Sequence, residues 1–163
     1  MQRSDPTQGF TLVELILVMA LLAVVAAFSA PALSRSLRQR NLDGEAARLL
    51  AVAEYGRDEA VSQGVPMTVW IDPKGQRFGV EPKTGYEGND ARSRSFELNA
   101  DIHFEIERAA TRNGVSDAME FAPDGSLASS STEAVRLVDR FQAAITLART
   151  SDGWSYEIVK ETR

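Results

Sequence analysis

From Leu12 to Leu33 the chain carries a single ionisable side chain, Glu14, and from Leu15 to Phe28 there is no polar side chain at all. Such a pattern is apolar on every helical face rather than along one stripe. As a helix those 22 residues measure about 33 Å, enough to cross a hydrocarbon core. A charge at the centre of a bilayer costs about 2.5–3.5 kcal/mol, so Glu14 needs either a headgroup position or a partner. Two other readings compete. A cleaved secretory signal would use Ala30-Pro31-Ala32 as its small-residue site, but its leader is barely basic (Arg3 against Asp5) and Glu14 interrupts its core. A buried core helix apolar all round would need a larger protein around it.

The pattern changes after Leu33. From Ser34 to Gly64 Leu42, Ala46, Leu49, Leu50, Ala53 and Ala60 recur at helical spacing and form one apolar stripe. Glu45, Arg48, Glu54, Arg57, Asp58 and Glu59 supply the polar surface. The spacing predicts a continuing, now amphipathic helix, so that Phe10 to Gln63 would span about 80 Å if unbroken. Gly44 and Gly56 each weaken it by about 1 kcal/mol relative to Ala, which predicts a break or a close approach at one of them. Gly64 with Val65-Pro66 is a stop signal.

Beyond Val65 the period drops to two. Met67 to Ile71 alternates, Asp72-Pro73-Lys74-Gly75 turns, and Arg77 to Val80 returns as a hairpin. Pro82 to Ser93 is rich in turn residues and reads as a loop. Ile102, Phe104 and Ile106 define one face of a strand, with His103, Glu105 and Glu107 opposite. Ala118 to Ala122 precedes a turn at Pro123 to Ser126, and Ala134 to Asp139 and Phe141 to Ala148 predict two more strands. Ser151-Asp152-Gly153 turns into Trp154 to Val159, where Trp154 and Tyr156 share a face and either pack on the domain or mark a partner surface.

Composition narrows the chemistry. The 163 residues hold 25% charged and 44% hydrophobic side chains with a net charge of −5, an ordinary globular balance that does not point to nucleic acid. Without cysteine there is no disulfide and no thiolate metal site. His103 is the only histidine and lies on the polar face of its strand beside Glu105, a surface position rather than that of a catalytic base. Glu87, Asn89 and Asp90 carry oxygen ligands in a glycine-containing loop, a pattern far commoner in turns than in cation sites. No phosphate-binding glycine loop and no H-E-x-x-H occurs. The expectation is a chain without catalysis, metal or cofactor.

One local pattern is more specific than hydropathy. Gly9-Phe10-Thr11-Leu12-Val13-Glu14, followed directly by the apolar run, resembles the processing signal of type IV pilins and type II secretion pseudopilins. The resemblance implies that a prepilin peptidase cuts between Gly9 and Phe10 and methylates the new amino terminus at Phe10. It also implies that Glu14 pairs with the amino terminus of a neighbouring subunit and sets the axial register, a use of a buried ion pair. Pro31 matches a place where these helices loosen. More weakly, the early hairpin and "EFAPDGSLASSSTEAVRLVD" look like the H-type minor pseudopilins and their FimT/FimU-like relatives.

The organisation implied is a leader at 1–9, a membrane or filament-core helix at 10–33, an amphipathic helix at 34–64 and a periplasmic domain at 65–163. The fold class is α+β and pilin-like, a long amino-terminal helix packed on an antiparallel sheet domain of one sheet or two small ones. The function implied is that of a minor pseudopilin near the tip of a type II secretion pseudopilus, anchored in the bacterial inner membrane by a single pass. Its partners would be prepilin peptidase, other pseudopilins and membrane lipid. The rival is a minor pilin of a type IV pilus, some of which bind DNA. Lys160 and Arg163 are interleaved with Glu161 in an acid-leaning domain, which disfavours nucleic acid. One feature runs against this topology: Arg35, Arg38 and Arg40 follow the span while the leader offers only Arg3, and positive-inside counting alone would keep the carboxyl-terminal domain in the cytoplasm.

Overall fold

The computed structural model of the chain describes residues 11–86, 93–107 and 118–159, with the side chains of 28–35 and 107 outside that description. One helix, α1 (Leu12–Gln63), is followed by eight strands: β1 (Met67–Asp72), β2 (Arg77–Pro82), β3 (Arg94–Glu97), β4 (Ile102–Glu107), β5 (Ala118–Phe121), β6 (Ala134–Asp139), β7 (Ala144–Arg149) and β8 (Tyr156–Val159). Pro31 does not break α1, and neither glycine does. The chain divides into two compact units, Met1–Arg38 and Gln39–Arg163.

In the second unit the strands form two four-stranded sheets, β3-β2-β1-β5 and β4-β6-β7-β8. Every pairing is antiparallel. The chain leaves the first sheet after β3, opens the second with β4, returns with β5 to lie beside β1, then crosses back with β6. This is the α+β, two-sheet form of the expected fold. The helical stripe meets both sheets in one core: Leu42, Ala46, Leu49, Ala53 and Ala60 are buried with Val69, Phe78, Val80 and Phe121 of the first sheet and Phe104, Leu137, Ile145 and Leu147 of the second. Each of those sheet residues sits on the apolar side of an alternating or near-alternating strand, where burial is worth about 1.5–3 kcal/mol per large side chain.

The two helical glycines differ. A Cβ at Gly44 would meet nothing within 4 Å, whereas one at Gly56 would lie 2.9 Å from Val69 Cγ2 and 3.2 Å from Val80 Cγ2. Gly56 is therefore a close approach of helix backbone to sheet, and both valines are fully buried, which limits how far they can move.

Two expected strands start later than their spacing predicts, and one strand, β3, is not expected from it. β3 lies in a mixed-polarity stretch with one half-buried residue, Phe96, too short and too polar to stand out as a strand. β7 starts at Ala144 rather than Phe141, because the Asp139 carboxylate accepts hydrogen bonds from the amides of Phe141 and Ala143, both at 2.8 Å, and Gln142 turns through φ 66°. β8 starts at Tyr156 rather than Trp154. The Trp154 amide instead donates to Asp152 Oδ1 at 3.0 Å, so Trp154 stays in the turn, half exposed, while Tyr156 is buried. The two aromatics do not share a face.

The edge of the first sheet beyond β5 is closed from within the chain. The amides of Ala128 and Thr132 donate to the carbonyls of Glu120 and Ala118, and the Glu120 amide donates to Ser131 Oγ at 2.9 Å. The Tyr156 hydroxyl donates to the Thr132 carbonyl at 2.6 Å and ties this strap to the second sheet. Burial pushes that hydroxyl well above the usual phenol range, so it remains a donor at every ordinary pH.

Exposed aspartates organise the tight turns. The Asp72 carboxyl is held below its ordinary value by the Gly75 amide first and then the Lys74 amide and Arg77, and Asp124 by the Ser126 hydroxyl and amide. Because the folded value is depressed, each contributes stability above the unfolded value that is lost as pH falls through the folded one.

Two outcomes follow for unfolding in urea, read by the fluorescence of Trp70 and Trp154. Gly44→Ala stabilises by up to about 1 kcal/mol through helix propensity, whereas Gly56→Ala destabilises by about 1 kcal/mol, since overpacking outweighs the same gain. The second concerns acid. The stability difference between wild type and Asp124→Asn narrows as pH falls through and below 3.8, the ordinary carboxyl value. A constant difference across that range would contradict the role of the charge.

Candidate functional site

The amino-terminal end of α1 is the place where the sequence concentrates its candidate chemistry. Thr11 precedes the helix and has the N-cap arrangement: its Oγ1 accepts a hydrogen bond from the Glu14 amide at 3.2 Å and its carbonyl accepts one from the Leu15 amide at 3.1 Å. Glu14 lies in the first turn, where a carboxylate is favoured by the helix dipole by about 0.3–1 kcal/mol. Thr11 and Glu14 have the T-x-x-E spacing of a capping box. That spacing is readable from sequence, and the role of Thr11 is the functional detail the sequence reading missed. Gly9 and Phe10, the residues of the expected cleavage, lie outside the described residues.

From Leu12 to Val25 eleven large apolar side chains are exposed, and the least exposed of them, Val18, still shows 46% of its surface. At 100° per residue those positions cover the whole circumference, so within the Met1–Arg38 unit the described residues shield no face of this segment. Contiguous apolar surface on this scale marks a contact with lipid or with other protein. Among the described residues no helix is long and apolar enough to cross a membrane. The stretch with described side chains ends at Ala27 and is about 24 Å long, and its sequence continues apolar into Phe28, Ala30 and Leu33.

Among the described residues the other candidates bring no reactive constellation together. His103 Nε2 stands 3.5 Å from Glu105 Oε1, and Glu105 Oε2 accepts from Arg136 Nη1 at 2.8 Å across the directly opposed β4–β6 pair. All three are on the exposed face of the second sheet, where such pairs are worth less than about 1 kcal/mol. A cleft of about 250 Å³ beside β5 is lined by Pro66, Lys83, Tyr86, Glu120, Phe121 and Ala128, and its two charged groups are paired with each other at 2.8 Å. Glu87, Asn89 and Asp90 lie outside the described residues, and among the described ones no group of side chains is arranged to hold a metal.

Comparison with known proteins agrees with this focus on the amino terminus. Residues 6–30 match the prokaryotic N-terminal methylation motif. Over 82 residues the chain is 30% identical to type II secretion system protein H of Xanthomonas campestris pv. campestris, a match covering 50% of this chain and 47% of that protein. The chain thus spans about half the length of the curated relative it matches. Among solved structures it is similar to the type IV minor pilin FimU of Pseudomonas aeruginosa, with a TM-score of 0.55 and 17% identity over 77% of this chain and 91% of that one. It is also similar to the minor pseudopilin EpsH from the type 2 secretion system of Vibrio cholerae, with a TM-score of 0.52 and 15% identity over 77% and 98%. At such identities the structural likeness establishes the fold and does not choose between the two machines.

The unshielded segment yields a test. A fragment of residues 39–163 stays in solution without detergent and unfolds cooperatively, whereas the chain including residues 11–38 partitions into the detergent phase of a Triton X-114 separation. Full recovery of the longer chain in the aqueous phase would show that the apolar segment is covered. The chain carries the prokaryotic N-terminal methylation motif on a pilin-like fold, and in sequence and structure it resembles the H-type minor pseudopilins of type II secretion.

Proposed function

We propose that this chain is a minor pseudopilin of a type II secretion system. It is inserted in the bacterial inner membrane through the segment from Phe10 to about Leu33, with the domain at 65–163 in the periplasm. A prepilin peptidase cuts between Gly9 and Phe10, removing the leader at 1–9, and methylates Phe10. The mature chain joins the pseudopilus near its tip, with other pseudopilins as its partners. The observation that carries this reading is the methylation motif running directly into a helix whose apolar side chains are exposed on every face.

The physics of assembly follows from that surface. Before assembly lipid covers the apolar helix, and in a filament the helices of neighbouring subunits replace it. Such an exchange of one apolar environment for another has little hydrophobic driving force, so packing and polar contacts must select the register. A carboxylate in low dielectric interacts strongly with any nearby cation. The new amine at Phe10, created by the cut, is the complementary charge, and Glu14 paired with the amine of the next subunit would penalise every other axial offset. The choice of type II secretion over a type IV pilus is supported by the sequence match to the H protein. No cofactor enters this function, and catalysis belongs to the peptidase.

In cells containing the peptidase, mass spectrometry of the wild-type chain finds a methylated amino terminus at Phe10. Gly9→Val leaves at least nine-tenths of the chain at full length. Glu14→Ala is still cut but is lost from the filament fraction at least ten-fold, and Glu14→Asp recovers part of it. The same strain tests the machine: deletion of this gene abolishes export through type II secretion and leaves twitching motility intact, the reverse pattern being that of a minor pilin. Topology is checked at Lys74→Cys, which reacts with an impermeant thiol reagent in intact spheroplasts. Protection of that cysteine would place the domain in the cytoplasm, as the arginines after the span would favour.

A further inference from the structure

Two turns of the Gln39–Arg163 unit close over the last turns of α1 and cover part of one arginine. The Leu127 amide donates to the Gly153 carbonyl at 3.2 Å, which joins the turn at 123–126 to the turn at 151–154. A Cβ at Gly125 would lie 3.0 Å from Val61 Cγ2 and 3.5 Å from Arg57 Nε, so the first turn rests directly on both side chains. Beneath it Arg57 Nε is buried and has no hydrogen-bond partner. The residue as a whole is half-buried, so its stem is pinned while the tip of the guanidinium still meets solvent.

Neither nearby carboxylate answers this charge. Asp124 Oδ1 accepts from the amide and the hydroxyl of Ser126, at 2.9 and 2.6 Å. Asp152 Oδ1 accepts from the Trp154 amide at 3.0 Å and from the Thr150 hydroxyl. The Thr150 hydroxyl and then the Trp154 amide hold the Asp152 carboxyl below its ordinary value, and Arg57 adds only a smaller attraction. A buried donor left without an acceptor costs stability. Such a cost is the mark of a position kept for something other than the fold. Two exposed apolar side chains stand at the same place: Val61, one turn after Arg57 and against Gly125, and Trp154, carried by the second turn. Arginine and tryptophan beside apolar surface are the residues that dominate protein contacts.

We propose that Arg57, Val61 and Trp154 form the surface through which this domain contacts the β-domain of a neighbouring pseudopilin. A carboxylate of that domain takes the tip of Arg57, and an apolar side chain beside it covers Val61 and Trp154. The inference rests on the reading of the chain as a pseudopilin. Charge decides the chemistry of the partner, because a pinned, partly desolvated guanidinium offers a fork of donors that a carboxylate matches. Size decides which partner carries it. A freely diffusing protein needs about 1,000 Å² or more of buried surface, which one arginine and two apolar side chains do not supply. A subunit already held alongside by its own apolar helix is at high effective concentration, so a contact of this size is enough to select it.

The experiment uses the full-length chain in cells deleted for its gene, with benzoylphenylalanine in place of Trp154, and reads light-induced adducts with antibodies to each pseudopilin. An adduct with one pseudopilin is expected, reduced about ten-fold or more by Arg57→Met and Arg57→Glu and partly kept by Arg57→Lys. In detergent, the Arg57→Met chain unfolds at the wild-type urea midpoint or above it, because methionine fills the space without an orphaned donor. Any of three results overturns the proposal. These are adducts that Arg57→Met leaves unchanged, no adduct with any pseudopilin, and an Arg57→Met chain that unfolds in less urea, which would make the arginine a structural partner of Asp152. Deletion of the gene separates this inference from the reading beneath it. If type II secretion survives the deletion, the pseudopilin reading falls and the inference with it, whereas loss of secretion with adducts indifferent to Arg57 removes the inference alone.

Discussion

The approach of α1 to the first sheet at Gly56 is the constraint on which the Gln39–Arg163 unit depends. A side chain of any size there would meet Val69 and Val80, which sit opposite each other in the β1–β2 pair. The backbone can come this close because the flanking positions on the same stripe, Ala53 and Ala60, are also small, while the buried leucines of the stripe, Leu42 and Leu49, lie further towards its amino-terminal end. Phe78 and Phe104, their ring centroids 6.0 Å apart and nearly perpendicular, then join the first sheet to the second within the same core. Interiors packed at this density leave little room for an alternative placing of the sheets.

The same helix meets the opposite situation at its other end. Its large apolar side chains from Leu12 to Val25 are exposed within the Met1–Arg38 unit, and its first turn is organised by polar groups, Thr11 capping the amide of Glu14. A hydrophobic surface of this extent is stable only against lipid or other helices, so the chain is built for a setting it does not itself supply. Two environments along one continuous helix explain why its apolar residues follow two different patterns, all-round before Leu33 and striped after Leu42.

Much of this was legible in the sequence because the signals are local. The change of period at about Leu33 and again at Val65 reports which side of each element meets apolar surroundings, and the hairpin at Asp72 to Gly75 is carried by a side chain that accepts from its own turn amides. The G-F-T-L-V-E run was equally readable. Less legible were elements whose identity depends on a distant partner. Arg94 to Glu97 is a strand because Phe96 is opposite Phe78, with Arg48 stacked 5.5 Å and 5.0 Å from the two ring centroids, and nothing within those four residues announces it. Trp154 and Tyr156 have strand spacing, yet Asp152 holds the first in a turn while the second reaches across to Thr132.

By itself the sequence determined the class of structure, a long helix of two characters ahead of a small antiparallel domain, together with the motif in residues 6–30, since both depend on residues close together along the chain. Only the tertiary structure decided that the strands divide into two sheets, that β5 crosses back to lie beside β1, and that of two helical glycines Gly56 makes the contact while Gly44 faces open space. Those are questions of which distant surfaces meet. A glycine is chemically the same at either position, and the distinction exists only once Val69 and Val80 are brought against one of them.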